Sequence, residues 1–170
     1  MKNIILIGMP GCGKTTFGRK LAEELGRDFY DADEVLVMRE RRTIEDFFAE
    51  SEAAFREAET RTLKYLAEME GVIIATGGGA VTRPENMELL SKNGTIVFID
   101  RKPEKIYATI NDVVRPLLAD DKLRLFNLYN DRIELYKEYA TYIIGNNGAS
   151  EETVEKLLKY VRGEQEWRKF

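Results

Sequence analysis

The chain has 170 residues, 44% of them hydrophobic and 33% charged, which supports a globular core in a single domain and excludes a disordered or fibrous chain. Twenty-six Lys and Arg against thirty Asp and Glu leave a net charge of −4, which argues against a general nucleic-acid or membrane-surface binder. There is no histidine and only one cysteine, Cys12, so histidine-dependent hydrolase triads, His-ligated zinc sites and an intramolecular disulfide framework are all excluded. Acid–base chemistry here falls to carboxylates, Lys, Tyr or Cys, and a metal would need oxygen ligands.

In chain order, the first element is a short apolar strand, Ile4–Ile7. It is too short to span a membrane and reaches glycine without a signal-peptide cleavage pattern, so a cytoplasmic protein is expected. Phe17, Leu21 and Leu25 recur every four residues and predict a helix that stops at Gly26. A weak strand at Asp28–Tyr30 follows. Thr43 and Ser51 are placed to cap two consecutive helices, the second carrying the stripe Phe55, Ala58, Thr62, Tyr65 and Met69 before Gly71. Val72–Ala75 reads as a strand. Pro84 opens a helix through Leu90, Thr95–Ile99 is a strand, and Pro103 opens a helix through Ile110. The polar stretch Asn111–Asp121 reads as a mobile loop. Arg132, Tyr136 and Ala140 step along a further helix, Thr141–Ile144 is a fifth strand, and Val154, Leu157, Leu158 and Val161 mark a last helix ending near Gly163. The tail 164–170, with Trp167, has no periodicity. Strands alternating with helices predict a parallel sheet covered on both faces, in one α/β domain over 1–170.

The strongest local signal is Gly8-Met9-Pro10-Gly11-Cys12-Gly13-Lys14-Thr15. It fits G-x-x-x-x-G-K-S/T directly after a strand and directly before an amphipathic helix, the context the motif needs. Glycines at Gly11 and Gly13 let consecutive N–H groups face one anion, and the helix beginning near Lys14 adds its positive end. The Lys14 ammonium is expected on β- and γ-phosphate oxygens and the Thr15 hydroxyl on Mg²⁺, with Gly11, Cys12, Gly13 and Thr16 completing the nucleotide cradle. Cys12 reads as a small residue at a variable position, although a helix N-terminus lowers a thiol pKa.

Asp31-Ala32-Asp33 follows the second strand. Alternation in extended chain points both carboxylates the same way, one to serve Mg²⁺ through water and the other to take a hydroxyl proton. Gly77-Gly78-Gly79 at a strand end suggests close backbone approach to a ligand, a flexible connection being the alternative. Arg56 lies one turn before Glu59 and, taken alone, reads as half of an ion pair on a helix face. Arg115 precedes Pro116 in the polar loop, where a solvated arginine is equally reasonable, and Arg132 lies on a helix where solvated arginines are common. The run Thr95–Ile99 followed by Asp100 imitates a metal-binding strand, but an exposed Asp ending a buried strand explains it better. A phosphate-binding loop, two acids and several spare arginines suggest an acceptor that is small, hydroxylated and anionic.

These residues together resemble shikimate kinase. The match runs through the phosphate loop, Asp31-x-Asp33, Glu52-Ala53-Ala54-Phe55-Arg56 with Glu59, Thr76-Gly77-Gly78-Gly79, Arg115-Pro116-Leu117-Leu118 and Arg132-x-x-x-Tyr136, nearly the whole chain. The resemblance implies a three-layer α/β/α P-loop kinase fold with a five-stranded parallel sheet, a substrate-binding region at about 31–60 and a mobile lid at about 111–121. It implies ATP and shikimate as substrates, Mg²⁺ as cofactor, and transfer to the 3-hydroxyl of shikimate in the chorismate route to aromatic amino acids. No nucleic-acid or membrane partner is implied, and a monomer is expected. Within it, Lys14, Asp33 and Arg115 are catalytic, Arg115 entering from the lid; Thr15 and Asp31 (through water) hold the metal; Arg56 and Arg132 clamp the shikimate carboxylate. Gly78 and Gly79 contact the ring, and Glu59 positions Arg56. That role for Arg56 reverses its standalone reading. Two departures stand out: Ser51 replaces a frequent glycine, and Ala108 occupies the position where the family often stacks an arginine on adenine. A kinase for another small acid such as gluconate, or a catalytically silent nucleotide-binding module, is the alternative.

Overall fold

The computed structural model describes residues 1–109 and 122–163. Five strands, β1 (Asn3–Ile7), β2 (Phe29–Asp31), β3 (Ile73–Ala75), β4 (Gly94–Asp100) and β5 (Tyr142–Gly145), form one parallel sheet in the order β2-β3-β1-β4-β5. Eight helices connect them among the described residues: α1 (Lys14–Leu25), α2 (Ala32–Glu40), α3 (Ile44–Glu50), α4 (Glu52–Ala67), α5 (Pro84–Lys92), α6 (Pro103–Thr109), α7 (Lys122–Tyr139) and α8 (Ser150–Val161), with a 3₁₀ turn at Ala80–Thr82. All five β1 residues are buried, as a strand covered on both faces must be. In register, Leu6 of β1 faces Ala75 of β3, which faces Asp31 of β2, while Ile7 faces Phe98 of β4. The chain leaves β1 toward β2 and β3 on one side and places β4 and β5 on the other. The loop after β1 therefore opens at the carboxyl-end switch point where such sheets bind ligands.

The main core surrounds this sheet, with Ile5, Leu6, Ile7, Phe17, Leu21, Ile73, Phe98 and Tyr136 among its buried members. A second, smaller core of Leu36, Phe47, Phe55 and Ala58 lies under α2, α3 and α4, where Phe48 stacks on Phe55 at 4.5 Å. It fixes the start of α4, and so Arg56. Thr43 and Ser51 cap α3 and α4 as expected, accepting from Asp46 N at 3.1 Å and Ala54 N at 3.0 Å. Among the described residues no helix is long and apolar enough to cross a membrane.

Four expectations shift. The second and fifth strands each sit one residue later than the patterns predict, so Asp31 belongs to β2. Helix α2 has no counterpart in the sequence pattern and begins at Ala32, so Asp33 lies in its first turn rather than in extended chain. Asp31 causes this: its Oδ1 accepts from Asp33 N at 3.0 Å and Glu34 N at 3.4 Å, capping a helix where the strand ends. Tyr65, expected on the buried stripe of α4, is exposed and lies under the Arg39 guanidinium at 3.8 Å, while Leu63 and Leu66 fill the core. The loop 111–121 with Arg115, and the tail 164–170 with Trp167, lie outside the described residues.

Candidate active site

Between β1 and α1 the chain turns through three positive-φ glycines, Gly8 (146°), Gly11 (78°) and Gly13 (107°). Side chains are barred there sterically as well: a methyl group at Gly8 would sit 2.6 Å from the Ile99 carbonyl oxygen. Gly13 is the N-cap of α1 and supplies no side-chain oxygen, so the first amides of the helix remain available to an anion from outside. The buried Lys14 ammonium folds across the loop, donating to Gly8 O and Met9 O at 2.8 Å each and lying 3.7 Å from Cys12 Sγ. Cys12 itself is fully buried in the main core, which gives its thiol a packing role.

The Thr15 hydroxyl donates to Asp31 Oδ2 at 2.6 Å, joining the start of α1 to the end of β2. Both groups are hard oxygen donors at the carboxyl edge of the sheet. The described residues gather no cluster of three or more His, Cys, Asp or Glu anywhere. A pair of oxygens of this kind fits a magnesium ion that keeps most of its water and takes further oxygens from phosphate.

The glycine triplet is the hub of the site, and each member touches a different part of it. A methyl group at Gly77 would lie 2.8 Å from Glu59 Oε1 and 3.0 Å from Asp33 Oδ1. One at Gly78 would lie 2.6 Å from the Pro10 ring in the phosphate loop, and one at Gly79 would overlap the Arg56 guanidinium. From the other side the Tyr136 hydroxyl donates to Gly78 O at 2.6 Å, with Arg132 one turn earlier on α7. The structure thus brings Lys14, Thr15, Asp31, Asp33, Arg56, Gly78, Gly79 and the α7 face of Arg132 to one side of the sheet. The close approach seen at the triplet is to these protein side chains.

Charge is unusual here. Arg56 is 7% exposed and bonds Glu59 Oε2 at 2.8 Å, Glu59 being 2% exposed. Burial pushes the Glu59 carboxyl above the usual glutamate range, while Arg56 pulls it back down. Its second oxygen, Oε1, is buried without a hydrogen-bond partner. Arg132 is 8% exposed and forms no ion pair among the described residues. Burial also raises the Tyr136 hydroxyl far above its ordinary value, with Arg132 opposing. A buried guanidinium without a carboxylate is costly unless an anion arrives from outside.

Other sequence candidates fall elsewhere. Asp100 accepts from the Tyr129 hydroxyl at 3.0 Å, tying β4 to α7, and burial with that carboxylate pushes Tyr129 up to about 12. Asp100 ends the buried strand as expected, but it is half-buried rather than exposed. Ala108 lies exposed on α6. Three contributors were not assigned a function from sequence: Pro10, which abuts Gly78; Tyr136, which holds it; and Asn146, whose amide donates to Cys12 O at 2.9 Å. The four-residue step from Arg132 to Tyr136 marks a shared helix face, but nothing local marks Asn146.

A family model described as shikimate kinase matches residues 10–162. A shikimate kinase from Clostridium botulinum (strain Eklund 17B / Type B) is 41% identical over 162 residues, covering 95% of this chain and 98% of that protein. One from Caldicellulosiruptor saccharolyticus is also 41% identical, over 93% and 94% of the two chains. Among solved structures, shikimate kinase from Acinetobacter baumannii in complex with shikimate superposes with a TM-score of 0.89 at 38% identity, over 97% of this chain and 95% of that one. A sugar kinase from Janibacter sp. reaches a TM-score of 0.63 at 17% identity, a likeness of fold alone. The chain belongs to the shikimate kinase family.

Proposed function

We propose that the protein transfers the γ-phosphoryl group of ATP to the 3-hydroxyl of shikimate, giving shikimate 3-phosphate and ADP on the route to chorismate. The observation that carries this reading is the buried pair of cations, Arg56 and Arg132, set around Gly78 and Gly79 beside the phosphate loop. Such a pocket suits a small acid whose carboxylate accepts from two guanidinium groups.

In this reading the amides of Gly11 to Thr16 cradle the phosphates. Lys14 leaves the loop carbonyls for β- and γ-phosphate oxygens, exchanging neutral acceptors for charged ones. Thr15 would hold Mg²⁺ and Asp31 would serve it through water, and the ion would neutralise charge on the phosphates. Asp33 orients the acceptor hydroxyl and takes its proton as that oxygen bonds to the γ-phosphorus and the bond to the β-phosphate oxygen breaks. Arg56 and Arg132 hold the shikimate carboxylate, with Glu59 keeping Arg56 in place, so the ring lies over the Gly78–Gly79 backbone. Arg115 closes over the transferring group and excludes water. A loose transition state requires this positioning and charge neutralisation rather than covalent help. We place the reaction in the cytoplasm, on a monomer.

The test is a coupled ADP-release assay with shikimate, gluconate and other hydroxy acids as acceptors. Saturable ADP release with shikimate and only background with gluconate supports the reading; the reverse preference, or release independent of any acceptor, overturns it.

A further inference from the structure

Asn146 follows β5 and stands 134 residues from the loop it touches. Its side chain is buried, its own N–H continues the sheet ladder to Asp100 O at 2.7 Å, and Nδ2 donates to Cys12 O at 2.9 Å. Cys12 O can only accept, so it is the NH₂ end of the amide that faces the loop; behind it the Thr153 hydroxyl of α8 donates to Asn146 Oδ1 at 3.2 Å, with Gly145 O a more distant acceptor at 3.5 Å. In a trans peptide the carbonyl and the following N–H point in opposite directions. Holding Cys12 O from behind therefore aims the Gly13 N–H the other way, and that N–H donates to no backbone carbonyl among the described residues. By contrast, the Cys12 N–H is already spent on Met9 O at 3.1 Å. Residue 13 leaves room for this approach: a methyl group there would lie 2.5 Å from the Phe17 ring and 3.2 Å, a tight contact, from Asn146 Nδ2.

The geometry points to Asn146, backed by Thr153, as a positioning residue that aims the Gly13 amide at the nucleotide phosphates. It rests on the nucleotide-binding part of the function proposed above and does not depend on the acceptor. One neutral hydrogen bond sets the scale, so Asn146→Ala raises KM for ATP about three- to ten-fold while KM for shikimate stays within about two-fold. Thr153→Val shifts KM for ATP in the same direction by less, and Thr153→Ser, which keeps the hydroxyl, restores the wild-type value.

The experiment measures both KM values for these variants, together with the rise in melting temperature that saturating ADP produces. A selective loss for ATP with a smaller ADP-induced rise, reversed by Thr153→Ser, is the expected result. Equal shifts in both KM values, or a lower melting temperature with both KM values and the ADP-induced rise unchanged, would overturn the assignment. If Asn146→Ala does not fold, the Thr153→Val and Thr153→Ser pair gives the same decision. The ADP arm needs no acceptor, so it judges Asn146 separately from whether shikimate is the substrate.

Discussion

Gly79 has φ −92° and ψ 1°, a negative-φ turn conformation open to alanine, so Gly79→Ala chiefly tests the effect of close approach. The nearest atoms that the added methyl group meets all belong to the Arg56 guanidinium. To make room, the guanidinium must leave its 2.8 Å bond to Glu59, and the nearest alternative is the exposed Glu52 carboxylate, now 3.6 Å away. Loss of a charge-assisted hydrogen bond costs about 1.5–3 kcal/mol. For a chain of this size that is a fall of about 3–12 °C in melting temperature. The displaced guanidinium also loses its grip on the shikimate carboxylate, which by the same energy raises KM for shikimate about ten- to a hundred-fold with KM for ATP unchanged. Thermal melts and initial rates with each substrate varied measure both effects. Adding Gly79→Ala to Arg56→Ala should then cost almost nothing more, because the methyl group has nothing left to displace. A shikimate KM within two-fold of wild type in Gly79→Ala, or a full additional loss in the double variant, would refute the clamp at Arg56.

Arg132→Met removes a buried charge with no carboxylate partner among the described residues, so the melting temperature is expected to hold or rise while shikimate affinity falls about ten- to a hundred-fold; calorimetric titration and a thermal melt separate the two. Glu59 carries a pH signature. Its folded-state pKa is raised above the ordinary 4.5, chiefly by burial, so its contribution to stability is full below pH 4.5 and is lost as pH rises through the folded value. Glu59→Gln lacks that titration, and its melting temperature relative to wild type should climb as pH increases from 4.5; a flat difference speaks against a buried, titrating Glu59. Asp33→Asn is expected to keep ADP binding, seen as an undiminished ADP-induced melting shift, while losing about 10²-fold or more in turnover. Near-normal turnover would remove Asp33 from its role.

Local chemistry explains what could be read before the fold was known. The phosphate loop is legible because its glycines, Lys14 and Thr15 are contiguous and lie between a strand and a helix. The five strands are legible because a sheet covered on both faces needs short apolar runs. Helix α2 was missed because a single side chain, Asp31, ends the strand and caps the helix in one step, leaving no spacer for a pattern to reveal. Arg56 is the instructive case. Its spacing to Glu59 correctly predicts the ion pair, yet spacing cannot tell a solvated helix face from a buried one, and the second core under α4 decides that. The Tyr136–Gly78 and Asn146–Cys12 bonds join residues 58 and 134 positions apart, so only the sheet order brings them together. The net charge of −4 describes the outer surface; the interior of the site gathers Lys14, Arg56 and Arg132, all buried.

Phosphorylation of shikimate at one hydroxyl can be followed by ³¹P NMR of a reaction containing the protein, ATP, Mg²⁺ and shikimate. A single new phosphomonoester signal is expected, coupled to the proton on C3 of the ring and growing in step with ADP. Inorganic phosphate as the only new product, or a phosphoester at another hydroxyl, would contradict it.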